Sequence, residues 1–299
     1  MKLAILMTVY AYPELANTFI QQVLQSEDVS VFVHIDKKHD EIKNEILRIP
    51  RVYLIPDNIK VEWGNFTHVK SILHLMEYAK SVDEFDYYSI HSGQDLLINP
   101  VDKLLNRLEQ EKKIAYLDCQ ELPITAWGPD GGWYRITYRW PGFLVRRMVN
   151  GSLLSMMRRV FLELNQRNIL RKNHLNPEIK WYGGSDWFTV SAQGVNEILK
   201  VYKEDKSFVD IFEHSFIGSE LFFNTILCNL GRDEDIVTDD NLRYIDWKNK
   251  EDGQAKGSPK IMRLSDYESI LNSGKMFARK FSVTETELIH KIVQNSQGT

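Results

Sequence analysis

The sequence predicts an α/β protein in which a mostly parallel central sheet has helices on both faces. Short, continuous apolar runs at residues 2–9, 29–36 and 86–91 are typical of strands that are buried on both sides. Between them, residues 14–25 and 68–80 carry apolar side chains at helical spacing. Strands that alternate with helices in this order favour parallel pairing, because each helix crosses a face of the sheet before the next strand begins.

The other elements come in chain order. Residues 51–55 predict a short third strand, and a helix that starts near Ser219 has an apolar face. The remaining predicted elements are a strand at 114–118, a loop rich in Trp, Gly and Tyr at 123–140, a helix at 192–202 and a strand at 241–247. No internal repeat or linker interrupts this order, so the sequence predicts one domain over residues 1–299.

Composition excludes some classes of protein. The chain has 299 residues and a formal net charge of −4, which argues against a nucleic-acid-binding protein. Its two cysteines, Cys119 and Cys228, are too few for a disulfide framework or a zinc site. No apolar run reaches membrane-spanning length, and the first residues are too short for a signal sequence. We therefore expect a cytoplasmic protein, with peripheral attachment to a membrane as an alternative.

Polar residues lie at the ends of several predicted strands. Residues 8–12, 34–38 and 92–95 each come directly after, or at the end of, an apolar run. Because the carboxyl ends of parallel strands meet at one edge of a sheet, these three segments should lie together. That edge is where open α/β sheets bind their ligands.

Glu220 is the first candidate for a chemical role. Ser219 is a predicted N-cap, which places Glu220 in the first turn of a helix at the rim of the core. Apolar surroundings there raise the pKa of a carboxyl toward that of a working general base. The alternative is structural, since acidic residues in first turns also complement the helix dipole.

Several motifs, in order along nearly the whole chain, resemble those of the core-2/I-branching glycosyltransferase family. They are residues 34–38 (His-Ile-Asp-Lys-Lys), 62–64 (Glu-Trp-Gly), 92–95 (Ser-Gly-Gln-Asp), 184–188 (Gly-Ser-Asp-Trp-Phe), 220–225 (Glu-Leu-Phe-Phe-Asn-Thr), 242–247 and 277–281. That family contains β-1,6-N-acetylglucosaminyltransferases and peptide O-xylosyltransferases. This sequence departs from the family pattern at residues 218–219, where Gly-Ser replaces Pro-Asp, and at residues 96–97, where Leu-Leu replaces Phe-Pro.

The resemblance implies a GT-A-like nucleotide-sugar-binding fold and a compact, bacterial-type member of the family. Residues 1–120 would form the nucleotide-binding half, and residues 121–299 the acceptor and catalytic half. Glu220 would be the inverting base. The residues implied on the donor side are Val9, Asp36, Lys38, Asp95, Arg243 and Lys280, and those on the acceptor side are Asp186, Trp187, Trp127 and Tyr134.

The implied reaction transfers N-acetylglucosamine from UDP-N-acetylglucosamine to a hydroxyl of a glycan or lipid-linked glycan. UDP-xylose is the alternative donor, and a carbohydrate-binding protein without turnover is the alternative class. We expect no metal cofactor, because the literal Asp-x-Asp at 233–235 lies in a hydrophilic loop and Asp95 is a single acid at its strand end. Arg243, Arg279 and Lys280 are the candidate cations for the diphosphate.

Residues 145–172 form a strongly basic segment with interspersed apolar residues. The favoured interpretation is a helix packed on the core with a solvated basic face. The alternative is an amphipathic helix that contacts a membrane surface.

Overall fold

The computed structural model describes residues 1–149, 151–231, 235–248 and 257–298. Its strands are β1 (Leu3–Val9), β2 (Val29–Ile35), β3 (Val52–Leu54), β4 (Tyr87–Ser92), β5 (Leu96–Leu97), β6 (Ala115–Tyr116), β7 (Cys119–Glu121), β8 (Tyr182–Gly184), β9 (Thr189–Ser191), β10 (Ile236–Val237), β11 (Arg243–Ile245) and β12 (Phe277–Arg279). Its α-helices are α1 (Pro13–Val23), α2 (Thr67–Val82), α3 (Val101–Glu111), α4 (Tyr134–Thr137), α5 (Leu153–Gln166), α6 (Ala192–Glu204), α7 (Lys206–Glu213), α8 (Ser219–Cys228), α9 (Tyr267–Leu271) and α10 (Thr286–Ser296).

The central sheet has seven strands in the order β10-β6-β9-β4-β1-β2-β3. β1 pairs in parallel with β2 and with β4, so that Thr8 lies opposite both His34 and Ser92. β9 runs antiparallel to its two neighbours, β4 and β6. The predicted α/β class and mostly parallel sheet are confirmed, and the predicted polar segments meet at one edge.

Helices cover both faces of this sheet. Leu6 of β1 belongs to a buried cluster with side chains of α2, α6 and α8. Its neighbours Ile5 and Met7 belong to a second cluster with side chains of α1, α3 and α10. Successive side chains of a strand point to opposite faces, so β1 supplies both cores and all of its residues are buried.

A small second sheet, in the order β11-β12-β5, brings a late part of the chain to the same edge. The backbone N–H of Phe281 donates to Gln94 O at 3.0 Å, and Gln94 Nε2 donates back to Phe281 O at 3.1 Å. Arg279 and Lys280 are therefore held beside the carboxyl end of β4.

The start of α8 differs from the prediction. Ser219 is the first helical residue rather than the N-cap, which is Gly218. The Ser219 hydroxyl does not cap the helix and instead donates to Asp186 Oδ2 at 3.2 Å. At the other end of α8, the Sγ atom of Cys228 lies 3.2 Å from that of Cys119 in β7.

The basic segment contains helix α5, which packs on the core as the favoured interpretation predicts, but through only a few residues. Phe161 and Asn165 are the buried residues of α5, whereas several of its apolar side chains face solvent. They do so because the side of the helix that packs on the protein is narrow. Within the described ranges, no helix is both long enough and apolar enough to cross a membrane.

Candidate active site

Two carboxylates, Asp186 and Glu220, lie together where the turn after β8 meets the first turn of α8. Asn224 holds these segments against each other, because its Nδ2 donates both to Ser185 O at 3.3 Å and to Glu220 O at 2.9 Å. Ser219 adds its bond to Asp186. The sequence predicted the two acids for different roles, and the structure places them side by side.

Arg135 is the cation of this site. Its guanidinium donates to Glu220 Oε2. The Arg135 carbonyl accepts from the Phe216 N–H at 2.8 Å, so that α4 is tied to the chain just before α8. The Arg135 side chain is 10% exposed and that of Glu220 is 30% exposed. Glu220 is therefore reachable from solvent, whereas its partner is not. We call Glu220, Asp186 and Arg135 the Glu220 cluster.

The pKa of Glu220 is raised to about 7, mainly by burial and also by the Asp186 charge, while Arg135 opposes the rise. Burial likewise raises the pKa of Asp186 to about 6, with its Ser219 hydrogen bond acting in the opposite direction. Asp186 Oδ1 is buried and has no hydrogen-bond partner in the part of the chain described here. Glu220 and Asp186 together have too few hydrogen-bond donors to keep both carboxylates ionised. One of the two can therefore take a proton near neutral pH.

Trp127, predicted to border the acceptor, supports Arg135. The Arg135 guanidinium lies 3.7 Å from the centre of the Trp127 ring. Two glycines make room for that ring: a Cβ on Gly183 would lie 2.4 Å from Trp127 Cη2, and one on Gly132 would lie 2.5 Å from Cε3. Trp127 therefore influences Glu220 indirectly, by stacking on the guanidinium that donates to it.

Trp187 and Arg279 form the next part of the cleft. The Arg279 guanidinium lies 4.1 Å from the centre of the Trp187 ring, and the His68 ring lies 6.0 Å from it. His68 Nδ1 is also 3.6 Å from Asp186 Oδ2, and burial lowers the pKa of His68 to about 4. Lys280 follows Arg279 and is half-buried, and burial together with the Arg279 charge lowers its pKa.

A second group of buried charges lies beneath the strand edge. Asp95 accepts from the Ser92 hydroxyl at 2.8 Å and contacts His91 Nδ1 at 3.1 Å. Burial alone would raise the pKa of Asp95, but Arg279 and His91 bring it down to about 2. Arg243 lies behind His91, with Nη2 3.1 Å from His91 Nε2 and 2.6 Å from Ile90 O. We call Asp95, His91 and Arg243 the Asp95 cluster.

The structure thus places Asp95 and Arg243 in the wall of the cleft rather than on its surface. Asp95 is 1% exposed and Arg243 is 3% exposed. Burial lowers the pKa of Arg243 to about 9, with the Asp95 charge opposing. Arg279 lies nearer the cleft, and its buried Nη1 has no hydrogen-bond partner within the described ranges. The diphosphate role of Arg243 stays a prediction.

The predicted nucleoside residues lie at the ends of β1 and β2. Asp36 Oδ1 accepts from the N–H groups of Lys38 at 3.0 Å and Val61 at 3.2 Å, and Lys38 Nζ lies 3.4 Å from its Oδ2. Val9 is buried and packs on Gly93, where a Cβ would meet Val9 Cγ1 at 3.3 Å. Asp36 braces its own loop, and its contact with a nucleoside stays a prediction.

Tyr134, the fourth acceptor candidate, packs against an aromatic cluster that contains Trp140 and Phe216. Its ring packs between Trp140 and Phe216, with ring centres 6.2 and 6.1 Å away. The next residue, Arg135, reaches Glu220. Sequence reasoning missed Arg135 and His68, since one Arg in an aromatic loop and one His on an amphipathic helix carry no periodic signal.

A cavity of about 490 Å³ lies elsewhere and is lined by Arg139, Trp181, Phe208 and Asp210, among others. It contains none of the predicted site residues, and Arg139 is already paired with Asp210 at 2.6 Å. We therefore place the site at the Glu220 cluster.

Across the described residues, no group of three or more His, Cys, Asp or Glu side chains could hold a metal ion. The literal Asp-x-Asp at 233–235 falls largely outside them.

A family model described as Core-2/I-Branching enzyme matches residues 14–271. Xylosyltransferase oxt of Drosophila pseudoobscura pseudoobscura is 24% identical over 229 residues, which are 74% of this chain and 23% of that protein. Beta-glucuronosyltransferase GlcAT14B of Arabidopsis thaliana is 26% identical over 121 residues, which are 40% of this chain and 27% of that protein. The chain spans about a quarter of the length of these curated relatives.

Solved structures give a weaker likeness. The inositol-1-phosphate CTP transferase from T. maritima has a TM-score of 0.42 at 12% identity and covers 100% of this chain and 97% of its own. A 4-diphosphocytidyl-2C-methyl-D-erythritol synthase has a TM-score of 0.34 at 9% identity and covers 70% of this chain and 83% of its own. These scores are too low to support an argument about fold or function.

Proposed function

This chain belongs to the Core-2/I-Branching enzyme family, and we propose that it transfers a sugar from a UDP-sugar to a hydroxyl of a glycan acceptor, with inversion and without a metal ion. The observation that carries the proposal is Glu220. Its side chain is 30% exposed, yet its surroundings raise its pKa to about 7. A carboxylate with that pKa, open to the cleft, suits a general base at neutral pH.

In the proposed step, a Glu220 carboxylate oxygen takes the proton of the acceptor hydroxyl. The acceptor oxygen then bonds to the anomeric carbon, and the bond from that carbon to the diphosphate oxygen breaks on the opposite face. UDP leaves with the bonding electron pair, so one displacement inverts the configuration. Arg135 orients Glu220 through their ion pair, and Asp186 keeps the pKa of Glu220 high enough for proton transfer.

The leaving diphosphate needs positive charge in place of a metal ion. Lys280 and Arg279 support this part of the proposal, because both lie beside the carboxyl end of β4. Arg279 also lies over the Trp187 ring and has a buried N–H group without a partner in the described part of the chain. Charge-assisted hydrogen bonds to the phosphates would strengthen as the leaving group ionises. In this scheme Arg243 supports Asp95 from behind, and Asp95 in turn holds Arg279 at 3.7 Å.

UDP-N-acetylglucosamine is the donor that we propose first, from the branching motifs of the sequence. UDP-xylose is the second candidate, and the names of two relatives favour it: the xylosyltransferases of Drosophila pseudoobscura pseudoobscura and Ciona intestinalis. A panel of UDP-sugars, assayed for release of UDP with glycan and lipid-linked acceptors, separates these donors.

Glu220→Gln tests the proposal. The amide keeps the size of the side chain but cannot take the proton, so transfer should fall by a factor of about a hundred or more. Binding of UDP, measured by calorimetry, should stay within about twofold, since Glu220 does not contact the nucleotide in this scheme. Near-wild-type transfer would remove Glu220 from the mechanism, and loss of transfer in excess chelator would contradict the metal-free scheme. UDP binding by the wild type with no transfer to any acceptor would favour the non-catalytic alternative.

A further inference from the structure

Helix α5 presents a row of apolar side chains to solvent. Leu153, Met156 and Val160 are 72%, 57% and 55% exposed. Their spacing of three and four residues places them on one side of the helix, on successive turns. Soluble proteins expose single apolar residues often, but contiguous rows more often mark a binding surface.

The orientation of this row is fixed by contacts on the opposite side of α5. Phe161 packs on Trp140 with ring centres 4.8 Å apart, and Asn165 is fully buried. Arg158 turns inward, where its Nε donates to Leu144 O at 2.9 Å. The helix is therefore anchored along one side, and the outward direction of Leu153, Met156 and Val160 follows from that anchoring.

The chain on either side of α5 extends the exposed apolar surface. Val149, before the helix, is 78% exposed, and Ile169, after it, is 62% exposed. We call the exposed side chains of Val149, Leu153, Met156, Val160 and Ile169 the α5 surface.

Positive charge accompanies the α5 surface. Residues 145–172 contain seven Arg or Lys and one acid, whereas the whole chain has a formal net charge of −4. The one acid, Glu163, is paired with Arg167 at 2.5 Å. Arg159, next to Val160, is exposed. The positive charge is thus concentrated in the segment that carries the α5 surface, and Arg159 presents it to solvent directly beside that surface.

We propose that the α5 surface binds the surface of an anionic lipid bilayer. The apolar side chains would enter the boundary between headgroups and acyl chains, and the arginines around them would contact lipid phosphates. A second copy of this chain fits the surface less well, because a two-fold contact would bring the same basic segment against itself.

The chain just before the α5 surface contacts residues 63 and 64, which follow Val61, whose N–H donates to Asp36 at the predicted nucleoside end of the cleft. The Arg147 guanidinium lies 5.2 Å from the centre of the Trp63 ring, and a Cβ on Gly64 would collide with Val145 O. If Glu220 acts as proposed, attachment through α5 would bring its cleft near acceptors displayed at the bilayer, such as lipid-linked glycans. This consequence rests on the proposed function, whereas lipid binding itself does not.

Vesicle flotation with the full chain tests the proposal. Vesicles of phosphatidylcholine alone are compared with vesicles of two parts phosphatidylcholine and one part phosphatidylglycerol, at low and at high salt. The wild type should float with the anionic vesicles, and high salt should weaken binding. Arg159→Glu/Val160→Glu should lower the partition coefficient at least about fivefold. The matched control is Arg48→Glu/Ile49→Glu, which changes an equally charged exposed pair elsewhere and should bind as the wild type does.

A second variant separates the apolar contribution from the charge. Leu153→Ser/Met156→Ser keeps every charge and should lose the binding that remains at high salt. The proposal is overturned if the wild type does not float, or if the α5 variants and the control pair bind equally. It is also overturned if α5 substitutions abolish a concentration-dependent dimer, seen by light scattering, in a protein that never binds vesicles. None of these measurements requires sugar transfer. A failure of the lipid-binding proposal would therefore not affect the proposed role of Glu220 as the base.

Discussion

The Asp95 cluster and the Glu220 cluster both contain largely buried carboxylates, but the two clusters differ in how many donors and cations their carboxylates contact. Asp95 accepts hydrogen bonds from Ser92 and His91 and has Arg279 nearby, and its pKa falls to about 2. Glu220 is paired with Arg135, and Arg279 and Arg135 both act on Asp186, but burial outweighs these charges and raises the pKa values of Glu220 and Asp186 to about 7 and about 6. A buried carboxylate with enough donors stays ionised and stabilises the fold. One with too few donors remains able to accept a proton.

The largest expected effect is on stability, at Asp95. Asp95→Asn leaves the buried Arg243 and Arg279 without their anion and should lower the free energy of unfolding by about 3–5 kcal/mol. Because folding lowers the pKa of Asp95 from 3.8 to about 2, the wild type should keep this contribution above pH 3.8 and lose it as the pH falls toward 2. Urea unfolding at several pH values measures both effects.

Asp57→Asn, at an exposed acid, is the control for Asp95 and should change stability by less than about 0.5 kcal/mol. Equal effects at positions 57 and 95 would show that the Asp95 cluster does not support the fold.

An intermediate effect is expected at Gly183, which supports the Glu220 cluster through Trp127. A Cβ there would lie 2.4 Å from Trp127 Cη2, so Gly183→Ala must displace the ring on which Arg135 stacks. We expect kcat to fall about tenfold with the donor KM nearly unchanged, because the change misorients the base without touching the donor. In Gly142→Ala, the added Cβ meets only Asn65 Nδ2 at 3.6 Å, so activity should be retained. If Gly183→Ala were as active as Gly142→Ala, Trp127 would have no role in positioning Arg135 and Glu220.

A smaller effect on stability than that of Asp95→Asn is expected for Glu220→Gln. Folding raises the pKa of Glu220 from 4.5 to about 7, so the native state binds this proton more tightly than the unfolded chain does. The free energy of unfolding of the wild type therefore falls as the pH rises from 4.5 to about 7. Glu220→Gln does not titrate, so its stability does not fall for this reason. Relative to wild type, Glu220→Gln should be more stable at about pH 8 than at about pH 5, by about 2 kcal/mol. A destabilisation as large as that of Asp95→Asn would erase the contrast between the clusters.

The features that the sequence predicted are those set by local pattern and parallel geometry. The bounds of β1, β2 and β4 came from apolar runs, and their shared direction brought Asp36 and Asp95 to one edge. The sequence could not predict that β9 enters the sheet antiparallel between β4 and β6, because that order depends on contacts between distant segments. For the same reason, Arg135 was missed: its contact with Glu220 joins residues 85 positions apart. Ser219 was misassigned because an N-cap and a side-chain bond to Asp186 look alike in sequence.

The pH dependence of kcat/KM, measured for the wild type and for Asp186→Asn, tests the central claim most directly. A general base must be ionised to act. The kcat/KM of the wild type should therefore rise with pH, with a midpoint near pH 7, which is the value to which burial and Asp186 raise the pKa of Glu220. Removing the Asp186 charge should move that midpoint to lower pH, because one of the causes of the raised pKa is gone. Two results would contradict the assignment of Glu220 as the base. One is a wild-type midpoint near pH 4.5, the ordinary pKa of Glu, and the other is a midpoint that Asp186→Asn does not change.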